Sequence, residues 1–196
     1  MEFKFNISNS WDIAFHHGHS AFRLLGIVYE IETEYIAKKE SLNGLEHGCA
    51  EYLMVLPSLD ALTTNMFRLS TASIMMFQAM MEALINDSLE REGLLSGINK
   101  KGSFNDKWTE ALKILDQDES SFAKYKKNIY TKYRIPLVHP EKPKSGAFDD
   151  LSLSRLYEGF YSGWDAYSKL YDGLKHPHFE NSWEIMCEKY GLPKKL

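Results

Sequence analysis

Apolar residues recur at intervals of three and four along most of this chain, the period of one face of an α-helix. The longest run follows Pro57. Leu59, Leu62, Met66, Leu69, Ser73, Met76, Met80 and Ala83 place apolar or small side chains in one stripe, and Gly93 supplies a stop near its end. A second stripe, Leu153, Tyr157, Phe160, Trp164, Tyr167, Tyr171 and Leu174, predicts a helix over 151–174. Aromatic side chains at this spacing build a core, because each buries a large apolar area. Shorter periodic segments predict helices over 12–39, 45–56, 106–115, 120–133 and 182–190, with Asn105 capping the third of these. Strand signal is confined to residues 1–8, where Phe3, Phe5 and Ile7 alternate with Lys4 and Asn6 as a short strand or extended arm. Loops are expected at 95–103 and at 140–148, the second carrying Pro140, Pro143 and Gly146. The fold class is therefore all-α, a helical bundle. A soft boundary at Pro57 divides it into an N-terminal arm and helical elaboration, 1–57, and a bundle, 58–196; one continuous domain is the other division.

Composition adds limits. The hydrophobic share of 44% in 196 residues can form a sizeable core, and 26% charged residues is ordinary for a soluble chain. The longest clean apolar run, Tyr52 to Leu56, falls far short of the ~20 residues that span a bilayer. The first residues lack the basic start and apolar stretch of a signal peptide, and two cysteines make no disulfide framework. A cytoplasmic location with no membrane partner is expected.

Charge is distributed unevenly. The formal net charge is −4, yet Lys124, Lys126, Lys127, Lys132, Arg134, Lys142 and Lys144 crowd one window whose only acid is Glu141. The window is +6, so the remainder of the chain is −10. Tyr125, Tyr130 and Tyr133 are interleaved with these cations. Cations hold phosphates and rings stack bases, so Lys126, Lys127, Lys132 and Tyr133 are candidate RNA-binding residues. A solvated basic helix face is the plainer reading of the same residues.

Inside that window lies Tyr133-Arg134-Ile135-Pro136-Leu137-Val138-His139-Pro140. Arginine offers a planar fork of donors suited to phosphate. Histidine titrates near neutral pH. The two prolines bias Ile135 and His139 away from regular helix, so a turn or helix start is expected. A helix starting there would aim backbone donors at a bound phosphate. The plainer reading pairs Arg134 with a carboxylate and leaves His139 capping a loop.

The segment from Arg134 to His139 resembles the Arg-x(4–6)-His signature of HEPN domains, all-helical and usually dimeric modules found in RNA-cleaving toxins and defence proteins. The resemblance extends over about 59–174. It implies a homodimer in which Arg134 and His139 of two subunits meet and cleave RNA without metal or other cofactor. It also implies a further polar residue on an earlier helix, for which Glu82 is the candidate, with Asn86 one turn later. Ile135 stands where the family often carries asparagine, and it favours the alternative of a noncatalytic module for dimerisation or for a protein partner such as an antitoxin.

Other chemistry is thin. His16, His17 and His19 cluster near the N-terminus, and His176 and His178 flank Pro177, but no His-Glu-x-x-His or Cys-x-x-Cys pattern supports a metal, so these are read as surface or interface histidines. Glycine-rich phosphate loops and nucleophile elbows are missing.

Overall fold

The computed structural model describes residues 10–91, 93–139, 148–175 and 182–194. Among these residues every regular element is helical. In order they are α1 (Ser10–Glu40), α2 (Ala50–Arg91), a 3₁₀ turn (Gly93–Leu95), α3 (Phe104–Ile114), α4 (Ser120–Tyr125), a π-helical stretch (Lys126–Arg134), α5 (Ile135–Val138), α6 (Leu153–Leu174) and α7 (Trp183–Lys189). The expected all-α bundle is what forms. The arm expected at 1–8 lies outside the described residues.

Helices α1 and α2 make a long antiparallel hairpin. Near the bundle, the Ser73 hydroxyl donates to the Ala21 carbonyl at 2.8 Å, and a Cβ on Gly18 would lie 2.8 Å from Met80 Sδ. Two separate helices were expected on either side of Pro57; instead α2 runs through it unbroken. Pro57 is exposed, so the backbone carbonyl that loses its partner there can be met by water. Ala14, Ala21, Phe22, Leu25 and Val28 of α1 share one buried cluster with α2, α6 and α7. Helix α2 thus continues across position 57, and α1 contributes to the core.

The stripe read along α2 is rotated from the one that is most buried. Ser73 and Met80 are inside, but Met76 and Ala83 are only partly covered, while Ile74, Phe77, Met81, Leu84 and Ile85 are fully enclosed. The reason is tertiary. The second half of α2 packs against α1 on one side and against the π stretch and α6 on another, so its buried arc is wider than one stripe.

Helix α6 is the central element. All seven residues of its predicted stripe are buried. Its Ser152 side chain accepts the Arg155 N–H as N-cap, and Lys175 closes it in the left-handed region at φ 54°. Phe160 stacks on Phe77 with ring centroids 4.2 Å apart. Gly159 is where the π stretch comes closest: a Cβ there would lie 2.3 Å from Ile129 Cγ1. A polar clamp ties α4 to α6, with the Lys169 ammonium donating to Ser121 Oγ at 2.8 Å and pairing with Asp165 at 2.9 Å and Asp118 at 3.0 Å. Ser103 caps α3, one turn-start earlier than the Asn105 expected, because its hydroxyl is placed to accept from the Asp106 N–H at 3.2 Å.

The C-terminal helix α7 docks on α1. Tyr190 Oη and His19 Nδ1 are 2.5 Å apart, whereas buried His19 Nε2 has no partner. Burial lowers the His19 pKa from its ordinary 6.5, helped by the charges of Lys189 and His16. Protonation would add a donor at an already unpaired buried nitrogen. The unfolded chain therefore binds this proton more readily than the folded one, and stability must rise with pH up to about the ordinary value of 6.5. Melting temperatures measured from pH 5 to pH 7 should climb in the native protein, and a His19→Gln variant should show a shallower climb. Equal slopes would remove His19 from the account.

Candidate functional site

From Ser120 to Val138 the chain folds as one unbroken helix. Tyr125, Lys126, Arg134 and Ile135 all have right-handed helical dihedrals, so α4, the π stretch and α5 share one axis. Nine residues is long for a π-helix, which usually occurs as a single widened turn. Pro136 supplies a local cause. Its ring would strike the carbonyl four residues back in an α-helix, and a wider coil moves that carbonyl aside. The Ile135 N–H accordingly reaches the Tyr130 carbonyl, five residues back. The expected turn or helix start at the motif is not what forms. Ile135 is helical at φ −60° and ψ −49°, and the motif sits at the C-terminal end of the helix, which closes at His139 with φ −120° and ψ 69°. The bias imposed by the following proline acts at His139 and is overridden at Ile135. No backbone donors therefore converge on the motif from a helix N-terminus.

The structure brings two of the three candidate catalytic residues together. Arg134 Nη2 donates to Glu82 Oε1 at 3.4 Å, from the π stretch to α2. Glu82 Oε1 also accepts from Gln78 Nε2 at 2.8 Å, and Gln78 Oε1 accepts from the Tyr125 hydroxyl at 2.7 Å. Tyr125 and Gln78 are buried, so this relay is anchored in the core. Burial, reinforced by the nearby Glu82 charge, pushes the Tyr125 pKa far up, which keeps the phenol a donor. The Arg134 guanidinium lies 5.3 Å above the Tyr130 ring, and its Nε is buried with no acceptor. His139 is exposed at the end of the same helix. Asn86, one turn beyond Glu82, instead accepts from Lys107 at 2.9 Å.

The four candidate RNA-binding residues divide. Lys126 and Lys127 are exposed, as the reading requires. Lys132 is half-buried and ion-paired with Asp150. Tyr133 is fully buried, its hydroxyl donating to Asp150 Oδ1 at 3.1 Å and its ring stacked near Phe148. Burial and that carboxylate raise its pKa to about 12. Tyr133 is thus a core residue, and its ring has no free face for a base. Tyr125 is likewise enclosed, and Tyr130 stacks against Phe104 at 5.1 Å. Phe122, Tyr125, Ile129 and Tyr133, spaced by three and four, form the inward row of this helix, and Lys126 and Lys127 are left outward.

Among the described residues the histidines do not gather into a metal site. His16, His17 and His19 ride on α1, which passes through Gly18 unbroken, and among the described residues no three histidine, cysteine or acidic side chains converge as metal ligands. His176 and His178 lie outside the described residues, as do the loop residues 140–147. Among the described residues no helix is long and apolar enough to cross a membrane.

The site and fold together define an all-helical bundle carrying a carboxylate-held arginine and an exposed histidine at one helix end. No family model, no curated protein and no solved structure matches the chain.

Proposed function

We propose that this protein is a HEPN-like RNA-binding protein that cleaves RNA without a metal, acting as a homodimer. The observation that carries the reading is the contact of Arg134 with Glu82, 52 residues apart, with an exposed His139 five residues further on at the end of the same helix. The family resemblance implies a polar residue on an earlier helix, and an arginine held by such a residue is pre-oriented for a phosphate. Its grip on Glu82 is long at 3.4 Å, so a phosphate can compete with Glu82 for the guanidinium. In the dimer, one His139 takes the 2′-hydroxyl proton and the other protonates the leaving 5′-oxygen. Arg134 neutralises the phosphorane oxygens.

Exposed Lys126 and Lys127 supply the electrostatic footing. Affinity for single-stranded RNA should fall as salt rises, and replacing both lysines with alanine should reduce the slope of log affinity against log salt by about 1.4. An unchanged slope would separate these lysines from the RNA. Cleavage is tested with purified protein, labelled single-stranded RNA, a chelator and a His139→Ala control.

A second reading rests on a different surface. On the outer part of the α1–α2 hairpin, Leu53 is 54% exposed, Met54 81% and Phe67 44%. Such apolar side chains favour a noncatalytic dimerisation or partner-binding module. Loss of self-association in a Leu53→Asp, Met54→Asp double variant would assign the hairpin to assembly, and cleavage should be lost with it, because the composite site needs two His139 side chains. Self-association with no cleavage at all would favour this second reading.

A further inference from the structure

A cavity of about 510 Å³ opens between α6 and α7, well away in sequence from the Arg-His motif. Its size suits a small ligand. One face of α6 lines it with Ser154, Tyr157, Glu158 and Tyr161, α7 adds Trp183 and Glu184, and Lys194 stands at the rim. The deep wall, Tyr157 and Trp183, is buried and its polar atoms are matched. The Trp183 indole donates to Tyr157 Oη at 3.3 Å, and Tyr157 Oη in turn donates to the Pro193 carbonyl. The Tyr161 ring is held edge-to-face on Trp183 at 5.4 Å and 80°, although it is 51% exposed. An aromatic ring pinned in place while half in water is a surface prepared for contact.

The charged groups are not matched. Glu158 and Glu184 are exposed carboxylates, and among the described residues neither has an ion-pair partner within 4.0 Å; nor does Lys194. Two free carboxylates beside aromatic rings make a negative, π-faced cavity. Such surfaces attract ammonium groups through the ring quadrupole and through charge. An anion would meet two carboxylates, and a neutral apolar ligand would leave both unused.

We propose that this cavity binds an organic cation with an alkylammonium head, the ammonium lying between Glu158 and Glu184 and its alkyl part against Tyr161 and Trp183. Among the described lining residues Lys194 is the opposing charge, so it weakens binding rather than contributing to it. The site is independent of the RNA reading and stands whether or not that reading holds.

The test is calorimetric titration of the full chain with tetramethylammonium chloride and with cadaverine dihydrochloride, each against sodium chloride at equal ionic strength. Saturable binding on the order of 1 mM is expected. Tyr161→Ala should weaken it by about fivefold or more. The pair Glu158→Gln and Glu184→Gln should weaken it by about tenfold or more. Lys194→Ala should tighten it. All four side chains are exposed, so melting curves should stay close to the native one. If the paired variant fails to fold, Tyr161→Ala and Lys194→Ala still decide. No saturable heat beyond sodium chloride, an affinity indifferent to the carboxylates, or weaker binding in Lys194→Ala would overturn the assignment. Stronger binding of Nα-acetyl-lysine-methylamide than of cadaverine would identify a protein lysine as the source of the ammonium, and the reverse would identify a free polyamine.

Discussion

Replacing His139 with alanine is expected to lower RNA cleavage at least ~10²-fold, the usual contribution of a general acid or base. The substitution should leave folding intact, because His139 is exposed and follows the last turn of α5. The loss should therefore be chemical, with no accompanying drop in melting temperature. Arg134→Lys should also impair cleavage, since a point charge cannot reproduce a planar fork. Cleavage should persist in a chelator and fail on RNA whose 2′-hydroxyls are methylated, because that hydroxyl is the nucleophile. The measurement is the single-turnover rate on labelled single-stranded RNA for native protein and both variants. Equal residual rates in native protein and His139→Ala would mark a contaminating nuclease and end the catalytic reading. Glu82→Gln adds a finer check: it keeps an oxygen for Arg134 but removes the charge, so it should alter RNA binding less than His139→Ala alters the rate.

Truncating Phe160 to alanine should cost about 3–5 kcal/mol of stability. Phe160 is fully buried in the middle of α6 and stacks on Phe77, which in turn touches Phe22 and Tyr125. Four helical segments meet there, and none can relax into the space without losing its own contacts. For a chain of this size the loss corresponds to a fall in melting temperature of roughly 6–20 °C. Denaturant unfolding followed by circular dichroism checks it. A cost below about 1 kcal/mol would mean that the cavity collapses and that the aromatic core is far more plastic than the close ring packing implies.

The contrast between α6 and the basic helix shows what a sequence carries. In α6, seven apolar residues at regular helical spacing face one way, and all are buried, because an α-helix of ordinary pitch converts local spacing directly into a face. The same logic identified α7, whose Ser182 cap and Trp183 start are local features. The stretch from Tyr125 to Arg134 was equally legible as helix. Its aromatic residues were open to two uses, core or base stacking. The tertiary structure decided for core: Tyr125 donates to Gln78 and Tyr133 to Asp150, partners that the spacing of ten residues cannot specify.

Sequence by itself determined the helical class, the central aromatic helix and the concentration of cations around Arg134 and His139, because these follow from period and composition. Tertiary structure alone decided that α2 continues through Pro57, that Lys132 and Tyr133 are tied to Asp150, and that Glu82 reaches Arg134. It also decided that Tyr161, Trp183, Glu158 and Glu184 line one cavity. Each of these depends on two segments distant in the chain arriving side by side. A helix specifies which of its residues share a face, but the partner of that face is chosen by how all the apolar stripes bury one another at once.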